Sequence, residues 1–217
     1  MKKTLLATLT VVLASSAFSQ IKYVDKVITA DKIKVTKNVT YGDNYTVLTG
    51  TPTLASKVAM APGYGFVAMT ADIYEPQDGA SKRPLIIFTH TGSFLPRYSN
   101  NSPVGYKDDS ATVAFCMSLA QRGYVVASMT YRMGWNPNAA TVDLRKQGII
   151  NAAYKGVQDL ATCVRFMKKS VKEGGNPYNI DTTKIAVGGN GTGGYITSAY
   201  ASIDRQSEIK STKFRDA

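Results

Sequence analysis

The residues able to do chemistry are few, and they gather at two glycine-containing turns. The first is Thr89-His90-Thr91-Gly92-Ser93. The second is Gly189-Asn190-Gly191-Thr192-Gly193-Gly194. His90 is the single histidine of the 217-residue chain. A cluster of imidazole metal ligands is therefore excluded, and an imidazole base has to be His90 itself. Ser93 and Thr192 bring hydroxyl groups to the turns. A hydroxyl becomes a nucleophile when a base stands beside it and a third group orients that base. Ser93 has only His90, three residues away and with no orienting acid in view, and Thr192 has no base. No metal and no cofactor is expected from these residues.

The turns need elements to hold them, and the hydrophobic pattern supplies these. Ile33, Val35, Val39 and Tyr41 fall on odd positions, which predicts a half-exposed strand or hairpin within residues 21–60. Phe66 to Tyr74 reads as a second strand. Pro84 to Thr89 is a short apolar run of the kind buried on both faces of a parallel sheet. The polar stretch from His90 to Ser110 reads as loop. Ala111 to Gln121 reads as a helix, with Val113, Met117 and Ala120 on one face. Tyr124 to Thr130 is a further strand. Ala153, Val157, Leu160, Val164 and Met167 recur at helical spacing, with Lys168, Lys169 and Lys172 near the end, where the helix dipole favours cations. Lys184 to Val187 forms the core of a fifth strand, Gly188 to Gly194 a turn, and Tyr195 to Ile203 the start of a helix. Strands alternating with helices predict an α/β fold, a mostly parallel sheet with helices on both faces.

Lys2 and Lys3, the apolar run from Leu5 to Ala14 and the small residues before Gln20 read as a secretory signal peptide over residues 1–19, cleaved near Ser19. The expected location is secreted or periplasmic, in a bacterium. No later stretch approaches ~20 apolar residues, so no membrane span is expected. The formal charge is +11, and loss of the leader with its two lysines lowers it to +9. Lys and Arg are spread along the chain without a nucleic-acid motif, so the charge reads as solvated surface and nucleic acid is not an expected partner. Cys116 and Cys163 lie in apolar helical patterns and are expected unpaired, on helices packed against opposite faces of the sheet. Asp159 and Arg165, on one helix, are expected to tie it to neighbouring loops. Trp135 lies in a loop near the sheet edge, as an anchor or a pocket wall.

Five segments in order resemble the α/β-hydrolases, in the carboxylesterase and lipase branch. They are Asp72-Ile73-Tyr74-Glu75-Pro76, Leu85 to Phe94, Arg122 to Val126 with Tyr131-Arg132, Gln158 to Phe166, and Asn179 to Val187 leading into the second turn. The resemblance implies an elbow of the Gly-x-Ser-x-Gly type at Gly189-Asn190-Gly191-Thr192-Gly193, followed by Gly194. The nucleophile position is Gly191, and glycine has no side chain to attack with. The oxyanion donors implied are the backbone N–H groups of Thr192, Gly92 and Ser93. His90 matches the histidine of the His-Gly-Gly loop motif, with Thr91 in place of its first glycine, and shapes that loop rather than acting as base. The triad acid and histidine should follow the elbow. After Gly191 the acids are Asp204, Glu208 and Asp216, and there is no histidine. The expected domain is therefore residues 20–217, the N-terminal part of an α/β-hydrolase-like domain, truncated after the nucleophile-elbow helix. Its fifth strand would lie at an exposed sheet edge, a surface prone to self-association.

The same glycines also fit Gly189-x-Gly191-x-x-Gly194, the dinucleotide fingerprint, in which Gly191 would let a pyrophosphate approach the helix start. Three functional readings follow. The first is a secreted carboxylesterase-like protein, inactive as this chain, with a small ester-like ligand. The second is a non-catalytic relative that binds a ligand or partner. The third is a dinucleotide-binding protein.

Overall fold

The computed structural model describes residues 22–47, 59–61 and 64–203. Residues 1–19, where a signal peptide is expected, and the acids Asp204, Glu208 and Asp216 lie outside the described residues. A single 3-10 turn, Ala30–Lys32, precedes β1 (Ile33–Val47). The strands that follow are β2 (Ala59–Ala61), β3 (Tyr64–Pro76), β4 (Arg83–Thr89), β5 (Val125–Met129) and β6 (Ile180–Gly189). The helices are α1 (Arg97–Asn100), α2 (Ser110–Ala120), α3 (Val142–Lys172) and α4 (Thr192–Ser202).

One sheet runs in the order β1-β3-β5-β4-β6, with β2 paired to β3. β5, β4 and β6 are parallel, and β1, β3 and β5 are joined by antiparallel pairings. The α/β architecture expected from the sequence is present, and its parallel part carries both turns. β5 is buried along its whole length, as its mostly apolar run requires, and its one polar residue, Ser128, donates to the Lys107 carbonyl at 3.1 Å. β1 departs from strict alternation through irregularities between Thr36 and Val39 and between Thr40 and Gly42.

Helices cover both faces. On one face Ile73, Leu85, Ile87, Ala127 and Met129 pack under Leu160, Cys163 and Met167 of α3 and Ile196 of α4. On the other, Tyr74, Phe88 and Val126 pack under Cys116 and Ala120 of α2. The two cysteines are free, fully buried and in separate clusters, so each is a core hydrophobe as expected. Burial pushes both thiols up to about 12.

Several element details differ from the sequence reading. The buried stripe of α2 is Thr112-Cys116-Ala120, one position from the expected Val113-Met117, because Asp109 caps the helix through the Thr112 N–H at 2.7 Å and sets its rotation. α3 is 31 residues long. Its first turns expose Val142 and Leu144 and show no core-facing periodicity. They start at the Thr141 cap, whose hydroxyl accepts from the Leu144 N–H at 3.2 Å. The stretch from His90 to Ser110 includes the short helix α1. α4 starts at Thr192 rather than Tyr195, so the turn shrinks from seven residues to Asn190 and Gly191. Among the described residues no helix is long and apolar enough to cross a membrane.

Candidate functional site

The sheet register brings the two turns together. Thr89, last in β4, pairs with Gly189, last in β6. Both turns therefore leave the carboxyl ends of adjacent parallel strands, where ligands bind in open α/β sheets. The Asn190 N–H donates to the Thr89 carbonyl at 3.2 Å, and the Gly193 N–H donates to the Asn190 carbonyl at 2.9 Å.

Gly191 is the hinge between β6 and α4, with φ 52° and ψ −122°. An L side chain is strained at that φ. Its flanking glycines are needed for space. A Cβ on Gly189 would lie 2.5 Å from the Gly193 carbonyl carbon and 2.7 Å from the Thr89 oxygen. One on Gly193 would overlap the Thr89 carbonyl and lie 2.7 Å from the His90 oxygen. A Cβ on Gly194 would meet nothing closer than 3.5 Å. Of the three glycines flanking Gly191, the crowded ones are thus 189 and 193, the outer glycines of the Gly-x-Ser-x-Gly elbow. The dinucleotide fingerprint needs its third glycine, here Gly194, for close helix–strand packing, and that need is missing.

The first turn is held as tightly. Gly92 has φ 126°, and Ser93 and Phe94 both lie at positive φ, a left-handed run that is costly for non-glycine residues. Three contacts fix it. Gly92 and Gly105 are so close that a Cβ on Gly92 would lie 2.5 Å from the Gly105 oxygen. Trp135 Nε1–H donates to the Ser93 carbonyl at 2.8 Å, and the Gly134 N–H donates to the Phe94 carbonyl at 2.8 Å. Trp135 is therefore an anchor of this turn. Asp109 organises the next stretch, accepting from the N–H groups of Gly105, Tyr106 and Thr112. Burial acts to raise the Asp109 carboxyl, but these N–H groups outweigh it and hold the group below the usual carboxylate range.

His90 is fully buried, with its Nδ1–H donating to the Thr91 carbonyl at 2.5 Å. Its ring stacks on Tyr131 at 4.7 Å between centroids. Burial pulls its pKa down to about 4, against the opposing pull of the Thr91 carbonyl, so it is neutral at pH 7. Tyr131 is the site residue that the sequence reading missed. Its hydroxyl lies 3.1 Å from the His90 carbonyl, 3.3 Å from the Thr91 carbonyl and 3.2 Å from Thr192 Oγ1. It clips the loop after β4 to the first residue of α4. A tyrosine at the end of a strand carries no sequence signal for such a role, since all three partners are brought in by the fold.

Thr91 faces the hinge. A Cβ on Gly191 would overlap Thr91 Oγ1 and lie 2.8 Å from Thr91 Cβ. Behind the turns Asp159 of α3 accepts from the Arg132 N–H at 2.7 Å and from Arg132 Nε at 2.8 Å. Burial pushes the Asp159 carboxyl up to about 6, and Arg132 limits the rise. Asp159 thus ties α3 to the segment after β5, as expected, whereas Arg165 bonds Thr162 on its own helix. A cavity of about 520 Å³ beside Arg132, Gln158 and Asp159 shares no residue with the two turns.

The BD-FAE family model matches residues 71–216. Among solved structures the chain is similar to a bacterial heroin esterase, at 17% identity and TM-score 0.45, covering 90% of this chain and 45% of that one. It is similar to esterase B from Lactobacillus rhamnosis at 17% identity and TM-score 0.44, with coverages of 97% and 53%. It is also similar to the esterase Est2 from Thermogutta terrifontis at 19% identity and TM-score 0.42, with coverages of 61% and 39%. The chain thus spans about half the length of these structures or less. No match is found among curated proteins. The family match takes in both turns and most of the chain, and the chain belongs to the BD-FAE family, α/β-hydrolase-like in fold.

Proposed function

We propose that these 217 residues form an esterase-type site that binds the carbonyl or carboxylate end of a small ester-like ligand and does not hydrolyse it. The observation that carries this reading is Gly191: the hinge has the backbone turn and crowded outer glycines of a nucleophile elbow, but no side chain at the attacking position. The oxyanion donors are the backbone N–H groups of Thr192, Gly92 and Ser93. His90 and Thr91 shape the loop, Asn190 leads into the hinge, and Gly194 lies in the first turn of α4. A neutral, buried His90 stacked on Tyr131 supports an architectural histidine rather than a base. The reading includes export to a secreted or periplasmic location, on the strength of Lys2, Lys3 and the apolar run after them. It also includes pairing with a second copy through the outer edge of β6.

Hydrolysis of p-nitrophenyl acetate by the purified chain tests the central claim. The expected rate equals that of a boiled control, and turnover above that control overturns it. Saturable binding of a short-chain carboxylate, weakened by crowding the loop with Ser93→Pro, is the expected positive result.

A further inference from the structure

We propose that Thr91 occupies the seat of the side chain at position 191, so that the elbow is closed to a nucleophile by the loop as well as by the glycine. The inference rests on the elbow reading above, and it assigns Thr91 a positioning role. The family motif implied by the sequence has glycine where Thr91 stands. Gly191 and Thr91 are 100 residues apart in sequence, and each departs from the motif in the sense that accommodates the other: one has lost a side chain and its neighbour has gained one. The geometry is direct. Thr91 Oγ1 overlaps the place of a Cβ on Gly191, and Thr91 Cβ lies 2.8 Å from it. Rotation about χ1 moves Oγ1 but leaves Thr91 Cβ, so relief through the side chain alone is partial. The loop is also poorly placed to yield. The Thr91 carbonyl accepts from His90 Nδ1 and lies 3.3 Å from the Tyr131 hydroxyl, and Gly92 is wedged against Gly105.

A consequence is that serine at 191 alone does not rebuild a working elbow. Thr91 must be removed with it. A thiol reports this without any base or acid from elsewhere. At the start of α4 a thiolate meets the free N–H groups and the positive end of the helix dipole, which lower its pKa. The two native thiols are silent, since both are buried and pushed up to about 12. The titratable groups that bond the Thr91 carbonyl are His90, neutral above its depressed pKa of about 4, and Tyr131, whose phenol burial raises, so neither adds charge near neutrality.

The test measures iodoacetamide alkylation against pH in Gly191→Cys, in Gly191→Cys with Thr91→Gly, and in Gly191→Cys with Thr91→Ser. The expected rate at pH 7 is roughly fivefold higher with Thr91→Gly than with Thr91 retained, with a rate midpoint below the ordinary thiol value of about 8.5. Thr91→Ser keeps the oxygen and is expected to stay slow. Equal rates and midpoints in the three variants overturn the proposal. If the shared midpoint is acidic, the elbow reading survives. If it is ordinary, that reading falls too. Thr91→Cys, which leaves Gly191 untouched, covers any failure of the 191 variants to fold. Its thiol is expected to titrate below about 8.5, and an ordinary midpoint there overturns the placement of the 91 side chain.

Discussion

The imidazole of His90 is uncharged in the folded chain near neutrality because the cost of burying its charge outweighs what the Thr91 carbonyl and the Asp109 and Asp108 carboxylates offer a proton. It is fully buried against Tyr131, its Nδ1–H is used by the Thr91 carbonyl, and burial pulls its pKa down to about 4. An unfolded histidine titrates near 6.5, so the folded chain binds fewer protons between those values. Stability is therefore held above about pH 6.5 and falls as the pH drops from there through 4. A gap of roughly 2.5 units corresponds to about 3 kcal/mol once both states are titrated. Asp159, pushed up to about 6 by burial, works in the opposite sense, contributing stability at low pH that is lost as the pH rises through 6. Comparing wild type with His90→Gln isolates the histidine. Urea melts at pH 7.5 and pH 4.5 should show a loss about 2–3 kcal/mol larger in wild type than in the variant. Equal losses would contradict the buried neutral imidazole. At this scale the sequence was informative about residue type. A single histidine two residues before Gly92 and a glycine at 191 already marked both turns, and they left the attacking position of the elbow without a side chain. Tyr131 was illegible, because its three oxygen partners come from two other segments.

Elements were legible where one face alone decides the pattern. The stripe of Leu160, Val164 and Met167 is legible for that reason, and the mostly apolar run of β5 is legible because both of its faces are buried. The first turns of α3 were missed because they cover little core and rely on the Thr141 cap and helix propensity. The early start of α4 was missed because glycine is a poor helix former. Gly193 and Gly194 are helical because Gly193 must pass the Thr89 and His90 carbonyls, a need that overrides propensity. A buried side-chain tie between elements is Arg132 with Asp159, which joins α3 to the segment carrying Tyr131. Breaking one side of a buried pair leaves the other charge without its partner. Asp159→Asn should therefore destabilise the chain by about 3–5 kcal/mol at pH 7.5. A chemical melt checks this, and a change under about 1 kcal/mol would mean that water already reaches Arg132.

For the molecule as a whole, two opposing features decide whether copies associate. Among the described residues β6 has a partner on one side only, β4. Its outer edge has no strand beside it among the described residues, and Ala186 is exposed on the strand. Such an edge can pair with the same edge of a second copy. Against this stands a formal charge of +11, which sets like-charged copies apart at long range. Lys184, exposed on the same strand, adds a local charge of the kind that blunts edges. The repulsion is screened by salt, with a Debye length of about 10 Å at 0.1 M, whereas edge hydrogen bonds and apolar contact are not. Association should therefore increase with salt, the reverse of an ion-paired dimer. Sedimentation at low and at high sodium chloride should show a monomer shifting toward dimer as salt rises. Ala186→Lys, which places a second cation two residues from Lys184, should suppress the shift. A monomer at both salt concentrations, or a shift unchanged by Ala186→Lys, would place any association elsewhere than β6.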